Sequence, residues 1–318
     1  MTDLSIIQKV KRLHIRTRHQ VADVLAGAYL SVFKGSGIEF EEVRPYVPGD
    51  EIRSIDWNVT ARTGVPHVKR FVEERELTIM LLVDISGSQE FGSSHQSKRE
   101  AASEFAALLA FSAIANKDKV GLILFHSDTE LFIPPRKGQK HAMRVVREVL
   151  AHDGSKNSKD SDLPWLRRWM QFLLRTVRKT GRKTDISAAL EFCRRVLPRK
   201  SVLFVISDFM DAGYLSTMRN VNRKHDVVAA LVTDPGESAI PNMGLLELRD
   251  AESGASTIVD STSVAFQEHL QRTTASRVNS LQQELRASGI DLIHIDTTSP
   301  VIDPLLAFLR MRERRIQR

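Results

Sequence analysis

The run Ile79-Met80-Leu81-Leu82-Val83-Asp84-Ile85-Ser86-Gly87-Ser88 decides the fold. Its five opening residues are all apolar, too short a run for a buried helix and without the polar alternation of a half-exposed strand. They predict a strand covered on both faces. Working outward, runs of the same kind recur at Val120–Phe125, Val202–Ile206, Val227–Val232 and Leu292–Ile295. Between them, helical spacing predicts helices at Lys98–Asn116, His141–His152, Ile186–Leu197, Val264–Ala287 and Pro300–Arg314. Strands alternating with helices imply an α/β fold with a doubly wound, mostly parallel sheet. Ligands in such sheets bind at the carboxyl ends of the strands.

The chain of 318 residues supplies ample core, and its 42% hydrophobic and 27% charged residues are ordinary globular proportions that exclude wholesale disorder. Its single cysteine, Cys193, rules out an intramolecular disulfide framework and points to a reducing compartment, where it serves as a small core hydrophobe. Lys9, Lys11, Arg12, Arg16 and Arg18 interrupt the early apolar runs, so no export leader is expected. The least charged stretch, Ala101 to Asn116, contains Glu104 and falls short of the roughly 20 apolar residues a membrane span needs. The expected location is cytoplasmic, with a peripheral place at the inner face of the membrane as the alternative.

Formal charge is +7, concentrated at Lys9–Arg18, Arg167–Lys183 and Arg310–Arg318. No aromatic-studded nucleic-acid motif accompanies these clusters, so they read as solvated helix faces, and nucleic acid is disfavoured as a partner. Residues 1–75 form a helical and loop-rich lead segment: Ile6, Val10 and Leu13, then Val21, Val24 and Leu25, have helical spacing, and Val47, Pro48 and Gly49 supply a turn. Residues 76–318 form the main domain, with an insert at about 152–183. The insert opens polar and continues into Leu163–Arg178, where Trp165, Trp169 and Phe172 share a basic amphipathic helix with Arg167, Arg168 and Arg175. Its apolar stripe packs on the domain, or else it contacts a membrane surface or a partner.

Asp84, Ser86 and Ser88 set three oxygen-bearing side chains at alternating positions just beyond a buried strand. Asp208 follows the strand at Val202, and Thr184 precedes the helix that leads back toward it. If those strands are neighbours, separate loops bring oxygens to one sheet edge. Hard oxygens suit a divalent cation, Mg²⁺ first with Ca²⁺ or Mn²⁺ as alternatives, rather than zinc. Two carboxylates among neutral hydroxyls leave such an ion electrophilic, and an acidic side chain of a partner could complete its shell. The competing explanation has Asp84 and Ser86 capping the next helix.

This pattern resembles the metal-ion-dependent adhesion site (MIDAS) of von Willebrand factor type A domains, a Rossmann-like fold. The resemblance implies that Asp84, Ser86, Ser88, Thr184 and Asp208 hold the ion directly or through water. Upstream, Gly37-Ile38-Glu39-Phe40, Arg44-Pro45-Tyr46, Pro48-Gly49-Asp50, Ile55-Asp56-Trp57, Thr60-Ala61-Arg62 and Glu73-Glu74-Arg75-Glu76 resemble the bacterial domain-of-unknown-function family number 58. Gln89 stands where that family often has methionine, and Glu51 where it often has aspartate. The resemblance implies a protein-binding adaptor working with a MoxR-type AAA+ ATPase in chaperone-like assembly or cofactor insertion. The nearest approach to a Walker A string, Gly181-Arg182-Lys183-Thr184, lacks the earlier glycine and the Gly-Lys pair, so ATP-driven work falls to the partner. Within the lead segment, Tyr46, Trp57 and Phe71 read as apolar anchors and Arg44, Asp50, Asp56 and Arg62 as charges clamping it to the sheet.

Catalysis is not expected. A metal-dependent phosphotransferase or phosphatase could use Asp84 as nucleophile, but its acid/base two residues on would be Ser86, which cannot do a carboxylate's proton transfer near neutrality. Neither Ser86 nor Ser88 sits in a hydrolase elbow. His126, His225 and His294 lack metal-ligand spacing and read as satisfied core or edge histidines.

Overall fold

The computed structural model describes residues 37–74, 76–93, 96–151, 184–249 and 256–316. The helices expected before residue 34, the 152–183 insert and its Trp165/Trp169 helix lie outside the described residues.

In the lead segment, β1 (Gly37–Pro45) pairs antiparallel with β2 (His67–Glu74). A short helix, α1 (Trp57–Thr63), lies between them, capped by Asp56 and closed by Gly64 at φ 74°. The strands replace what the sequence reads as loop. Two further expectations fail here. Trp57 is 66% exposed and anchors nothing. The charges pair inside the segment rather than across to the main sheet: Arg44 with Asp50 at 2.6 Å, and Asp56 with Lys69 at 3.1 Å.

The main domain follows as β3 (Thr78–Asp84), α2 (Lys98–Ala115), β4 (Lys119–Phe125), β5 (Thr129–Arg136) and α3 (Gln139–Ala151). After the insert come α4 (Ile186–Val196), β6 (Val202–Ser207), α5 (Tyr214–Asn222) and β7 (Asp226–Thr233). A hairpin of β8 (Leu245–Arg249) and β9 (Ser256–Asp260) precedes α6 (Val264–Ala287), β10 (Asp291–Asp296) and α7 (Ile302–Ile316). The central sheet runs β10-β7-β6-β3-β4-β5, parallel except for the edge strand β5. All five strands expected for the parallel sheet are present.

Strict alternation along each strand sends successive apolar residues to opposite faces. Ile79, Leu81 and Val83 join Phe204 and Ile206 beneath α2, α3 and α7. Met80 and Leu82 join Ile123, Phe125 and Val205 beneath α4, α5 and α6. Both faces are dry, which is why β3 is apolar at every position from Ile79 to Val83. Ala101, Ala102, Ala106 and Ala110 on α2 are buried, their small side chains suiting close approach to the sheet. Gly121 serves a similar end at the sheet margin: a Cβ there would lie 2.8 Å from Met80 Cε and 2.9 Å from the Ile133 carbonyl oxygen. Burial pushes the Cys193 thiol well above its usual range, in keeping with an inert core residue.

Candidate metal centre

Register sets the site. Val83 lies opposite Ile206 and Asp84 opposite Phe125, so Asp84 leaves the sheet between the ends of β6 and β4. Asp84 is 2% exposed, and both its oxygens are held: Oδ1 accepts the Ser86 N–H at 2.9 Å and Oδ2 accepts the Ser207 hydroxyl at 2.6 Å. Burial, with the charge of Asp208 adding to it, pushes Asp84 up to about 6, while the Ser207 and Ser86 hydrogen bonds pull the other way. Ser86 Oγ and Ser88 Oγ meet at 3.0 Å as the chain rounds the strand end.

The capping explanation does not hold for Ser86. Its side chain makes no bond to the 3₁₀ turn Gly87–Glu90 that it precedes. The helix α2 is capped instead by Ser97, in a reciprocal capping box with Glu100.

Asp208 follows β6 and is buried. Its neighbour Phe209 takes a left-handed φ of 53°, uncommon for a bulky residue, and packs its ring 5.6 Å from that of Tyr214. Ser207 Oγ accepts the Phe209 N–H at 3.1 Å while donating to Asp84, so one hydroxyl joins the two aspartate turns. Thr184 arrives from the other side of β3. Asp185 donates its N–H to the carbonyl of His126, just beyond β4, at 2.8 Å and caps α4 through Ala188 N–H. Thr184, 7% exposed, is thereby held at the same carboxyl edge as Asp84.

The loops therefore bring Asp84, Ser86, Ser88, Thr184 and Asp208 to the same carboxyl edge of the sheet, with Ser207 linking the Asp84 and Asp208 turns. Carboxylate and hydroxyl oxygens of this kind could hold a hard divalent cation. Among the described residues no group of three or more His, Cys, Asp or Glu gathers as a metal site, so any ion here would depend on the hydroxyls. Two buried carboxylates, one of them raised toward neutrality, form a place where positive charge is welcome.

Several residues that shape the site have no motif. Lys98 is 1% exposed, with Nζ 2.8 Å from Asp208 Oδ2 and 2.5 Å from Glu237 Oε1. Asp234, at the end of β7, accepts from Ser93 N–H and hydroxyl, from Gly236 N–H and from Thr297 Oγ1, pinning the loop that follows the serines. Gln89 is buried with neither amide atom partnered. The position after a D-x-S-x-S run was legible as a departure from the family, but its burial was not. Of the histidines, His294 meets the Thr233 hydroxyl at 2.8 Å. His225 is buried with both ring nitrogens unpartnered, against expectation.

A mostly parallel, doubly wound sheet with one antiparallel edge strand, carrying D-x-S-x-S at the end of a central strand, defines a von Willebrand factor type A-like domain. The chain belongs to the family described as "Protein of unknown function DUF58", which it matches over residues 42–279. An uncharacterized protein of Mycobacterium tuberculosis is 27% identical over 315 residues, covering 98% of this chain and 91% of the relative. The YeaD protein of Bacillus subtilis is 30% identical over 111 residues, 35% of this chain and 26% of its own length. Among solved structures, the hypothetical protein BatB from Bacteroides thetaiotaomicron is similar at TM-score 0.44 and 19% identity, over 75% of this chain and 99% of that one. The SpRpn10 VWA domain gives TM-score 0.37 at 10% identity, over 74% and 94%. Among the described residues no helix is long and apolar enough to cross a membrane.

Proposed function

We propose that this chain is a metal-dependent protein-binding adaptor rather than an enzyme, and that Asp84, Ser86, Ser88, Thr184 and Asp208 hold a divalent cation, Mg²⁺ first. The observation that carries the reading is the gathering of these oxygens at one sheet edge, on loops that also expose large apolar side chains. Phe91 is 46% exposed beyond the serines, and Met210 is 53% exposed just after Asp208. Exposed apolar groups around a polar centre are how protein interfaces combine area with orientation. When bound, the ion supplies an electrophilic point that an acidic side chain of the partner can complete. Asp84 stays in place through Ser207, the serine hydroxyls turn inward, and Phe91 and Met210 give the partner an apolar rim.

The partner class follows from the family resemblance: a MoxR-type AAA+ ATPase, with this chain serving chaperone-like assembly or cofactor insertion in the cytoplasm. The test is capture of that ATPase by the tagged chain, with Mg²⁺ or with chelator, by wild type and Asp84→Ala. Capture should be lost with chelator and in the variant, while circular dichroism stays unchanged. Equal capture in all arms would refute the mechanism. Turnover of a generic phosphate ester that disappears with Asp84→Ala would favour an enzyme instead.

A further inference from the structure

A lysine that is 1% exposed needs a reason to be there, because an ammonium without partners is costly to bury. Lys98 has two partners, and one of them is a proposed metal ligand. Its Nζ takes Asp208 Oδ2 at 2.8 Å, leaving on that carboxylate Oδ1, which accepts a long 3.4 Å bond from Met210 N–H. The second partner, Glu237 Oε1 at 2.5 Å, belongs to the turn after β7. The other oxygen of Glu237 lies 3.5 Å from Arg277 on α6, and Arg277 Nη1 donates to the Asp208 carbonyl oxygen at 2.9 Å. Asp208, Lys98, Glu237 and Arg277 thus close a ring that joins the candidate centre to the β7 turn and to α6.

A divalent ion at this edge and the Lys98 ammonium draw on the same carboxylate. Resting on the reading of Asp208 as a ligand, we propose that Lys98 is a resident counter-cation that competes with the metal for Asp208. Glu237 sets the outcome by drawing the ammonium away. Metal loading is then weak in the free chain and is coupled to the position of the Glu237 turn. A partner that shifts that turn changes the affinity of the ion without touching it. Such coupling is reciprocal, so the ion in turn biases the surface carrying Glu237 and Arg277.

The experiment is a Mn²⁺ titration of the full chain, counting free ion by electron paramagnetic resonance, for wild type, Lys98→Met, Glu237→Gln and Asp84→Ala. Removing a unit charge this close to the ion should tighten binding about tenfold or more in Lys98→Met. Glu237→Gln leaves Lys98 to Asp208 alone and should weaken binding several-fold. Opposite shifts from two changes to one ion pair are not what general loosening of the fold produces. Unchanged or weaker binding in folded Lys98→Met, or unchanged binding in Glu237→Gln, overturns the proposal. If Lys98→Met does not fold, Glu237→Gln decides alone. No saturable binding in wild type would instead remove the metal reading itself, and equal binding in Asp84→Ala would remove the ligand assignment.

Discussion

His225 enters β7 with 2% of its surface exposed and with neither ring nitrogen hydrogen-bonded. Burial, with the charge of Lys224 adding to it, pushes it down to about 4 from an ordinary 6.5. For a base held below its unfolded value, the unfolded chain takes up the proton first as pH falls. Stability is therefore complete above about 6.5, declines between there and about 4, and is level below. Between pH 7.5 and pH 5 the loss from this group should be about 2 kcal/mol, and His225→Phe should abolish that part in urea titrations at the two pH values. The site reads differently residue by residue. Asp84, Ser86 and Ser88 were legible because a dry strand that ends in alternating oxygens has few structural uses. Ser207 was not, since nothing in a serine at a strand's last position says that its hydroxyl will bridge two aspartate turns. Lys98 looked like an ordinary helix-start residue, and only the packing of β7 and α6 around it made it a buried ion-pair partner.

Elements differ in how loudly the chain announces them. The parallel strands are continuous apolar runs because each is covered twice. The strand β5 is not among the strands expected from the sequence; it lies at the sheet edge, where Pro134 and Pro135, which cannot donate to a ladder, are tolerated. The ribbon of β1 and β2 lies outside the central sheet, and its register shifts between Phe40 and Glu42, so no unbroken period of two runs through Gly37–Pro45. Loops are harder still. Asp234 joins the end of β7, the Ser93 loop and Thr297 beyond β10, contacts spread over 141 and 63 positions of sequence. Asp234→Ala would remove the acceptor shared by Ser93, Gly236 and the buried Thr297 hydroxyl and should cost about 2 kcal/mol. It should also speed amide exchange selectively through residues 86–97 before the strands are affected. Exchange accelerated equally everywhere would mean that Asp234 does not pin the metal loop in particular.

At the scale of the whole molecule, two apolar layers on either side of one sheet leave the carboxyl edge as the place where polar side chains from distant loops can be buried together. If a cation belongs there, it binds the folded chain and not the unfolded one, and stability must follow its concentration. At ten times Kd, Mg²⁺ should add about 1.4 kcal/mol, seen as a rise in Tm that chelator reverses and that Asp84→Ala lacks. A Tm indifferent to Mg²⁺, Ca²⁺ and Mn²⁺ would leave the edge a purely structural polar network. By itself the sequence determined the sheet class, most helix spans and the oxygens at Asp84, Ser86 and Ser88, because dry strands and amphipathic helices write their burial into local composition. Tertiary structure alone decided which strand ends stand side by side, and so that Ser207 holds Asp84 and Lys98 holds Asp208. Those contacts join residues more than a hundred positions apart, and no local period of hydrophobicity can encode which distant group will share a buried charge.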